Sequence, residues 1–192
     1  MQGIRTMDRL WQIADNAKHL AAVDQSRWAH AVFRKAVELT RLLSSDLTIL
    51  SVVNSNPMAK TSIRDEVEKL TDFHRELVFK HFPANSVKME SSPGRGTLYR
   101  CGPGGELRIQ SQIENGDPVE RICRSAEEIN ADLVTVGNRG LGNVGTLVLG
   151  SVSEKVVRKS TRTVMVVKDA TSDNSDWEKI DSPQRVGQYF TK

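Results

Sequence analysis

Residues 132–168 read DLVTVGNRGLGNVGTLVLGSVSEKVVRKSTRTVMVVK. Asp132–Gly137 is a short apolar run that stops at a glycine, and Thr163–Lys168 is a second such run. Between them Ser151 and Glu154 have the spacing of a capping box and open a helix that runs through Lys159. Strand, glycine-rich loop, helix and strand in that order predict a parallel βαβ unit with a right-handed crossover. Gly137, Gly140, Gly150 and Ser151 fall at the spacing Gly-x2-Gly-x9-Gly-Ser. Glycine at 137 and 140 permits positive φ and lets the backbone approach a ligand where a Cβ would obstruct it. Amides freed at such a turn and at the following helix N-terminus suit phosphate oxygens. A plain flexible connection is the alternative that the loop by itself leaves open.

Upstream, the pattern repeats. His19–Ser26 is an apolar strand ending in Asp24 and Ser26, followed by a helical face of Ala29, Val32, Phe33, Ala36, Val37, Thr40 and Leu43. Asp46–Val53 is a near-continuous apolar strand of the kind covered on both sides. Residues 62–81 form a helix with Val67, Leu70, Phe73, Leu77, Val78 and Phe82 on its apolar side. His74 and His81 share another face of it, read as solvated. Leu107–Ile113 alternates and reads as an outer strand, and Asp117-Pro118 then start a helix as N-cap and first-turn proline. Its apolar face is Val119, Ile122, Cys123, Ala126 and Ile129. The alternation predicts a doubly wound α/β domain over residues 18–169. Outside its core lie an extension, 1–17, with Leu10, Trp11 and Ile13, and a polar tail, 170–192. A Gly/Pro-rich insertion, 83–105, is read as a loop that leaves Cys101 an exposed thiol, whereas Cys123 is read as core.

Lys and Arg total 27 against 24 Asp and Glu in 192 residues, a formal charge of +3. That balance does not argue for nucleic acid or a membrane surface. No apolar run approaches the length of a membrane span, and the first residues lack the apolar stretch of a secretory signal. The two cysteines make neither a zinc site nor a disulfide framework, and a reducing, cytoplasmic setting is expected.

The glycine spacing, with Val23-Asp24-Gln25-Ser26 at the end of the first strand, resembles the universal stress protein family in its ATP-binding branch. The resemblance covers about residues 18–169. It implies the adenine nucleotide alpha hydrolase-like fold: a five-stranded parallel sheet in the order 3-2-1-4-5 with helices on both faces. Strands 1 and 4 would then be central, with ligand beyond their carboxyl ends where the winding reverses. By the same resemblance Ala22, Val23 and Asp24 line an adenosine pocket, and Val52 holds adenine through its backbone. Val136 and Gly137 border the ribose and phosphates, while Gly140, Gly150, Ser151, Val152 and Ser153 cradle the phosphates. Arg139 is the one cation of the loop, where family members often place more, and a bound Mg²⁺ could supply the missing charge. ATP, ADP and AMP all remain open as the nucleotide.

A dinucleotide enzyme is the first rival, since Gly140, Gly142 and Gly145 spell G-x-G-x-x-G, but Gly150 and Ser151 interrupt the helix that should follow. A P-loop is absent, and the four histidines show no metal spacing. No residue is placed to activate water, so at most slow ATP hydrolysis is expected. The resemblance implies a homodimeric, nucleotide-dependent switch in a stress response, pairing through strand 163–168 and acting on protein partners. A nucleotide-free interaction module of the same fold is the alternative.

Overall fold

The computed structural model describes residues 17–26, 28–54, 62–92, 96–138 and 149–168. In chain order they form β1 (Lys18–Ala22), α1 (Ala29–Leu42), β2 (Asp46–Val53), α2 (Ile63–His81) and a 3-10 turn (Ala84–Ser86). Next come β3 (Val87–Ser92), β4 (Gly96–Cys101), β5 (Leu107–Asn115) and α3 (Pro118–Glu128). β6 (Leu133–Gly137), α4 (Ser151–Lys159) and β7 (Thr163–Val167) follow. One sheet holds all seven strands in the order β3-β4-β5-β2-β1-β6-β7.

β1 is paired in parallel on both sides, with Ala22 beside Leu50 of β2 and beside Val136 of β6. β2 continues in parallel to β5, and β6 to β7. Successive parallel strands thus step one way from β1 and the other way from β6. This reversal opens a crevice at the strands' carboxyl ends.

Side-chain alternation along the strands feeds two cores. On one face Ala21, Val23, Ile49, Ile109 and Tyr99 pack with Val32, Phe33 and Ala36 of α1 and Leu77 and Val78 of α2. On the other, Leu20, Leu50, Val134 and Val136 pack with Val119, Ile122 and Ala126 of α3 and Val156 of α4. α3 starts as its sequence dictates: the Asp117 side chain accepts from the Glu120 N–H at 3.0 Å, with Pro118 in the first turn.

The structure corrects the reading of the insertion. β3 and β4 pair antiparallel as a hairpin, and β4 pairs antiparallel with β5 through Tyr99–Ile109 and Cys101–Leu107. The sheet is therefore mixed and seven-stranded rather than five-stranded, and β5 is flanked on both sides rather than being an outer strand. Tyr99 and Cys101 alternate inward under the α1–α2 layer and are fully buried. Glycine at 96 permits the hairpin to dock, because a Cβ there would lie 2.2 Å from the Ser111 carbonyl oxygen. Cys101 is accordingly not an exposed thiol, and burial pushes its pKa up to about 12.

His74 is corrected too. It lies four residues after Leu70 and three before Leu77, on the buried face of α2, and has no exposed surface. Burial lowers its pKa to about 4. His19 is lowered to about 4 by burial and is held by Thr40 Oγ1 at 3.1 Å and Thr135 Oγ1 at 2.6 Å. His81, half-buried against the Phe33 and His30 rings, is lowered to about 4 by burial and by the charges of His30, Arg34 and Lys80.

A depressed folded-state histidine pKa contributes stability that is complete above the unfolded value and is lost as pH falls through the window between the two. For these histidines that window runs from 6.5 down to about 4. The urea midpoint should therefore drop between pH 7 and pH 4.5, with His74 alone contributing on the order of 3 kcal/mol. A midpoint that does not change would show that these rings are not buried neutral. Tyr99→Ala should cost about 3–5 kcal/mol in the same assay, as a fully buried aromatic does when truncated; a loss below about 1 kcal/mol would mean the hairpin is not docked.

Candidate functional site

At its carboxyl end β1 extends one residue past the strand, with the Val23 N–H bonded to Leu50 O at 2.9 Å. The Val23 carbonyl accepts from the Ser51 hydroxyl at 2.7 Å. Asp24 then turns the chain, its Oδ1 accepting from the Ser26 N–H at 3.1 Å, and Ser26 Oγ in turn accepts from the Trp28 N–H at 3.3 Å. These two side-chain turns defer the helix to Ala29. Among the described residues nothing occupies Oδ2 of Asp24.

β6 ends in a tighter knot. The Asn138 N–H bonds Val167 O of β7 at 2.9 Å, and Asn138 O accepts from the Gly150 N–H at 2.7 Å. The Ser153 hydroxyl donates to the Gly137 carbonyl. The start of α4 is thereby fastened above the end of β6, and Asn138 joins β6, β7 and α4.

The helix begins differently from the capping-box reading. Gly150, not Ser151, is the N-cap, with φ −61° and ψ 152°, and no side chain among the described residues caps the first turn. Glu154 makes the first helical bond, to Gly150 O at 2.9 Å, and its carboxylate pairs with Arg158 at 2.9 Å rather than turning back. Ser153 is committed to Gly137, so its hydroxyl is not free for a phosphate. The N–H groups of Ser151, Val152 and Ser153 consequently have no partner among the described residues. An uncapped helix start carries partial positive charge and open donors.

Gly137 also differs from expectation: it is absent from the residues with positive φ, so conformational freedom is not what requires glycine there. Arg139 and Gly140 lie outside the described residues. The pairing of Ala22 with Val136 brings Asp24, Gly137 and the α4 start out of the same end of the sheet. Ala22, Val52 and Val152 border the α3–α4 core beside Val136. Val23 points the other way, into the α1–α2 core, and offers the crevice only its backbone.

Two residues escaped the sequence reading. Asn138 Oδ1 is buried with no hydrogen-bond partner among the described residues, a condition that native structures usually relieve. Ser51 is the other, and its signal was a lone hydroxyl in the otherwise apolar end of β2. The described residues also form cavities of about 170 Å³, against the amino ends of β1 and β2, and about 630 Å³, between α2 and β5. Neither is lined by the crevice residues.

The Universal stress protein family model matches residues 17–168. This chain belongs to the universal stress protein family. Among its relatives, a Staphylococcus aureus protein named as a universal stress protein is 31% identical over 154 residues, covering 78% of this chain and 82% of that one. Another, from Staphylococcus haemolyticus, is 27% identical over 173 residues, covering 88% and 95%. The hypothetical protein MJ0577 superposes with a TM-score of 0.60 at 21% identity, over 81% of this chain and 98% of its own. A universal stress protein in complex with cAMP gives 0.54 at 19%, over 80% and 98%. The Archaeoglobus fulgidus protein in complex with dAMP gives 0.54 at 18%, over 79% and 98%. At these identities the structural likeness is one of fold. No described helix is long and apolar enough to cross a membrane.

Proposed function

We propose that this universal stress protein binds an adenine nucleotide (ATP, ADP or AMP) in the crevice between β1 and β6 and acts as a nucleotide-dependent switch in a stress response. The observation that carries the reading is the uncapped start of α4, held over the end of β6 and facing the same edge as Asp24. Three open amides at a helix N-terminus suit phosphate oxygens. The free carboxylate oxygen of Asp24 suits a ribose hydroxyl or the adenine amino group, both of which donate. The orphaned Asn138 amide supplies one more polar contact at the floor. Relatives of the same fold in complex with cAMP and dAMP support the choice of adenine.

In this reading the phosphates are gripped chiefly by the main-chain N–H groups at the start of α4. The described residues contain no cluster of three or more His, Cys, Asp or Glu able to hold a metal. Mg²⁺ would then arrive with the nucleotide and be held chiefly by its phosphates. In this reading the open oxygen of Asp24 is spent on the ribose or adenine rather than on water, so the role is binding and not rapid turnover.

β7 favours a homodimer as the working form. It closes one side of the sheet with its outer edge unpaired among the described residues, and Val164, Met165, Val166 and Val167 are only half-buried. Exposed apolar edges of this kind call for a covering partner.

Denaturing freshly purified protein should release an adenine nucleotide identifiable by mass spectrometry. By calorimetry, Asp24→Ala should weaken AMP binding about tenfold while costing about 1 kcal/mol of stability through the lost bond to Ser26 N–H. Unchanged affinity would remove Asp24 from the site. Gly150→Asp should cap α4 and place a negative charge on its open amides. It should keep or slightly raise the unfolding temperature while lowering ATP affinity by about tenfold or more. Wild-type ATP affinity in that variant would refute phosphate binding at the helix start.

A further inference from the structure

A continuous polar chain runs through the α1–α2 core to the site. Ser111 Oγ of β5 lies 2.8 Å from His74 Nδ1, and His74 Nε2 of α2 lies 2.8 Å from Ser51 Oγ of β2. Ser51 in turn donates to the Val23 carbonyl of β1 at 2.7 Å. Ser51, His74 and Ser111 are each at most 4% exposed, so water does not compete.

The proton order along this chain follows from its last member. A carbonyl can only accept, so the single Ser51 proton goes to Val23 O. Ser51 Oγ must then accept from His74, which places the imidazole proton on Nε2. Nδ1 is left as an acceptor and takes the Ser111 hydroxyl proton. Each donor is used once and all bonds point the same way, from β5 through α2 and β2 to β1.

We propose that Ser51, His74 and Ser111 are positioning residues for the nucleotide site, acting through the Val23–Asp24 peptide to set the direction of the Asp24 carboxylate. The proposal rests on the nucleotide reading above for its ligand. The fixed peptide plane leaves Asp24 one turn geometry, completed by the Ser26 N–H on Oδ1, with Oδ2 left open. Local packing alone would need no histidine here, because an apolar side chain fills the same space without two ring nitrogens to satisfy. The chain acts on the adenosine end of the ligand and not on the α4 amides. Its loss should therefore be felt by AMP and not by a phosphate-only ligand.

The test uses the full chain and the variants Ser111→Ala, Ser51→Ala and Ser111→Thr, with AMP and inorganic tripolyphosphate as ligands in calorimetry. Ser111 touches no crevice residue, yet Ser111→Ala and Ser51→Ala should each raise the AMP Kd by about 5–10-fold, the range of one lost buried hydrogen bond. Tripolyphosphate affinity should not change, and Ser111→Thr, which keeps the hydroxyl, should restore AMP binding. Nitrogen-15 NMR of the nucleotide-free wild type should show His74 protonated on Nε2. Protonation on Nδ1, an unchanged AMP Kd in both alanine variants, or equal loss of both ligands would overturn the proposal. Should the wild type bind no AMP, the nucleotide reading fails by itself. The positioning claim is then decided by the Asp24 carboxyl carbon resonance, which must shift in Ser111→Ala and not in Ser111→Thr.

Discussion

β1 has no free edge. Five residues of backbone are hydrogen-bonded in parallel to β2 on one side, and four of them face partners in β6 on the other. Because both neighbours run the same way, all three chains leave the sheet at one end, and the reversal of winding keeps their connections from crossing there. The crevice is what remains between loops that must diverge. Among the described residues it has a carboxylate on one bank and, on the other, a helix start fastened by the Asn138 backbone and the Ser153 hydroxyl.

Legibility in the sequence followed the range of the interactions. Elements decided by near neighbours were readable. The Asp117-Pro118 start of α3, the buried stripe of α1 and the apolar run of β2 all follow from spacing within a turn or a strand. The hairpin was hidden because glycines and prolines at its turns outweighed a short alternation, Thr97 to Cys101, whose inward members only make sense once β5 lies alongside. The α4 start was misread by one residue: Ser151 and Glu154 have capping-box spacing, but Ser153 is drawn to Gly137 and shifts the cap to Gly150. That shift is what leaves the amides open. Asp24, Gly137 and Gly150 stood out by spacing and leave the same end of the sheet, whereas Asn138 did not stand out, since burial of an amide oxygen depends on three elements distant in sequence.

The buried histidines show why polar residues in a core resist reading by periodicity. His74 occupies a position on α2 that spacing assigns to an apolar side chain, and its partners lie 23 and 37 residues away. His19 does the same work between α1 and β6 through two threonines. In both cases desolvation keeps the ring neutral, and a neutral ring is one donor and one acceptor, which defines direction as well as distance. Such links fix relative placement of strand and helix more sharply than contact between methyl groups, which tolerates sliding.

The hairpin gives the sheet two unlike borders. Beyond β5 it ends in β3, where Lys88 and Glu90 are exposed and Glu90 holds Arg100 of β4 at 2.9 Å. A charged rim of this sort repels strand addition. The opposite rim, β7, is short and apolar. Among the described residues strand pairing is thus favoured on one flank only, a flank that the proposed twofold arrangement would consume. Within the described sheet such an arrangement would close into a pair and leave no second apolar edge from which a filament could propagate.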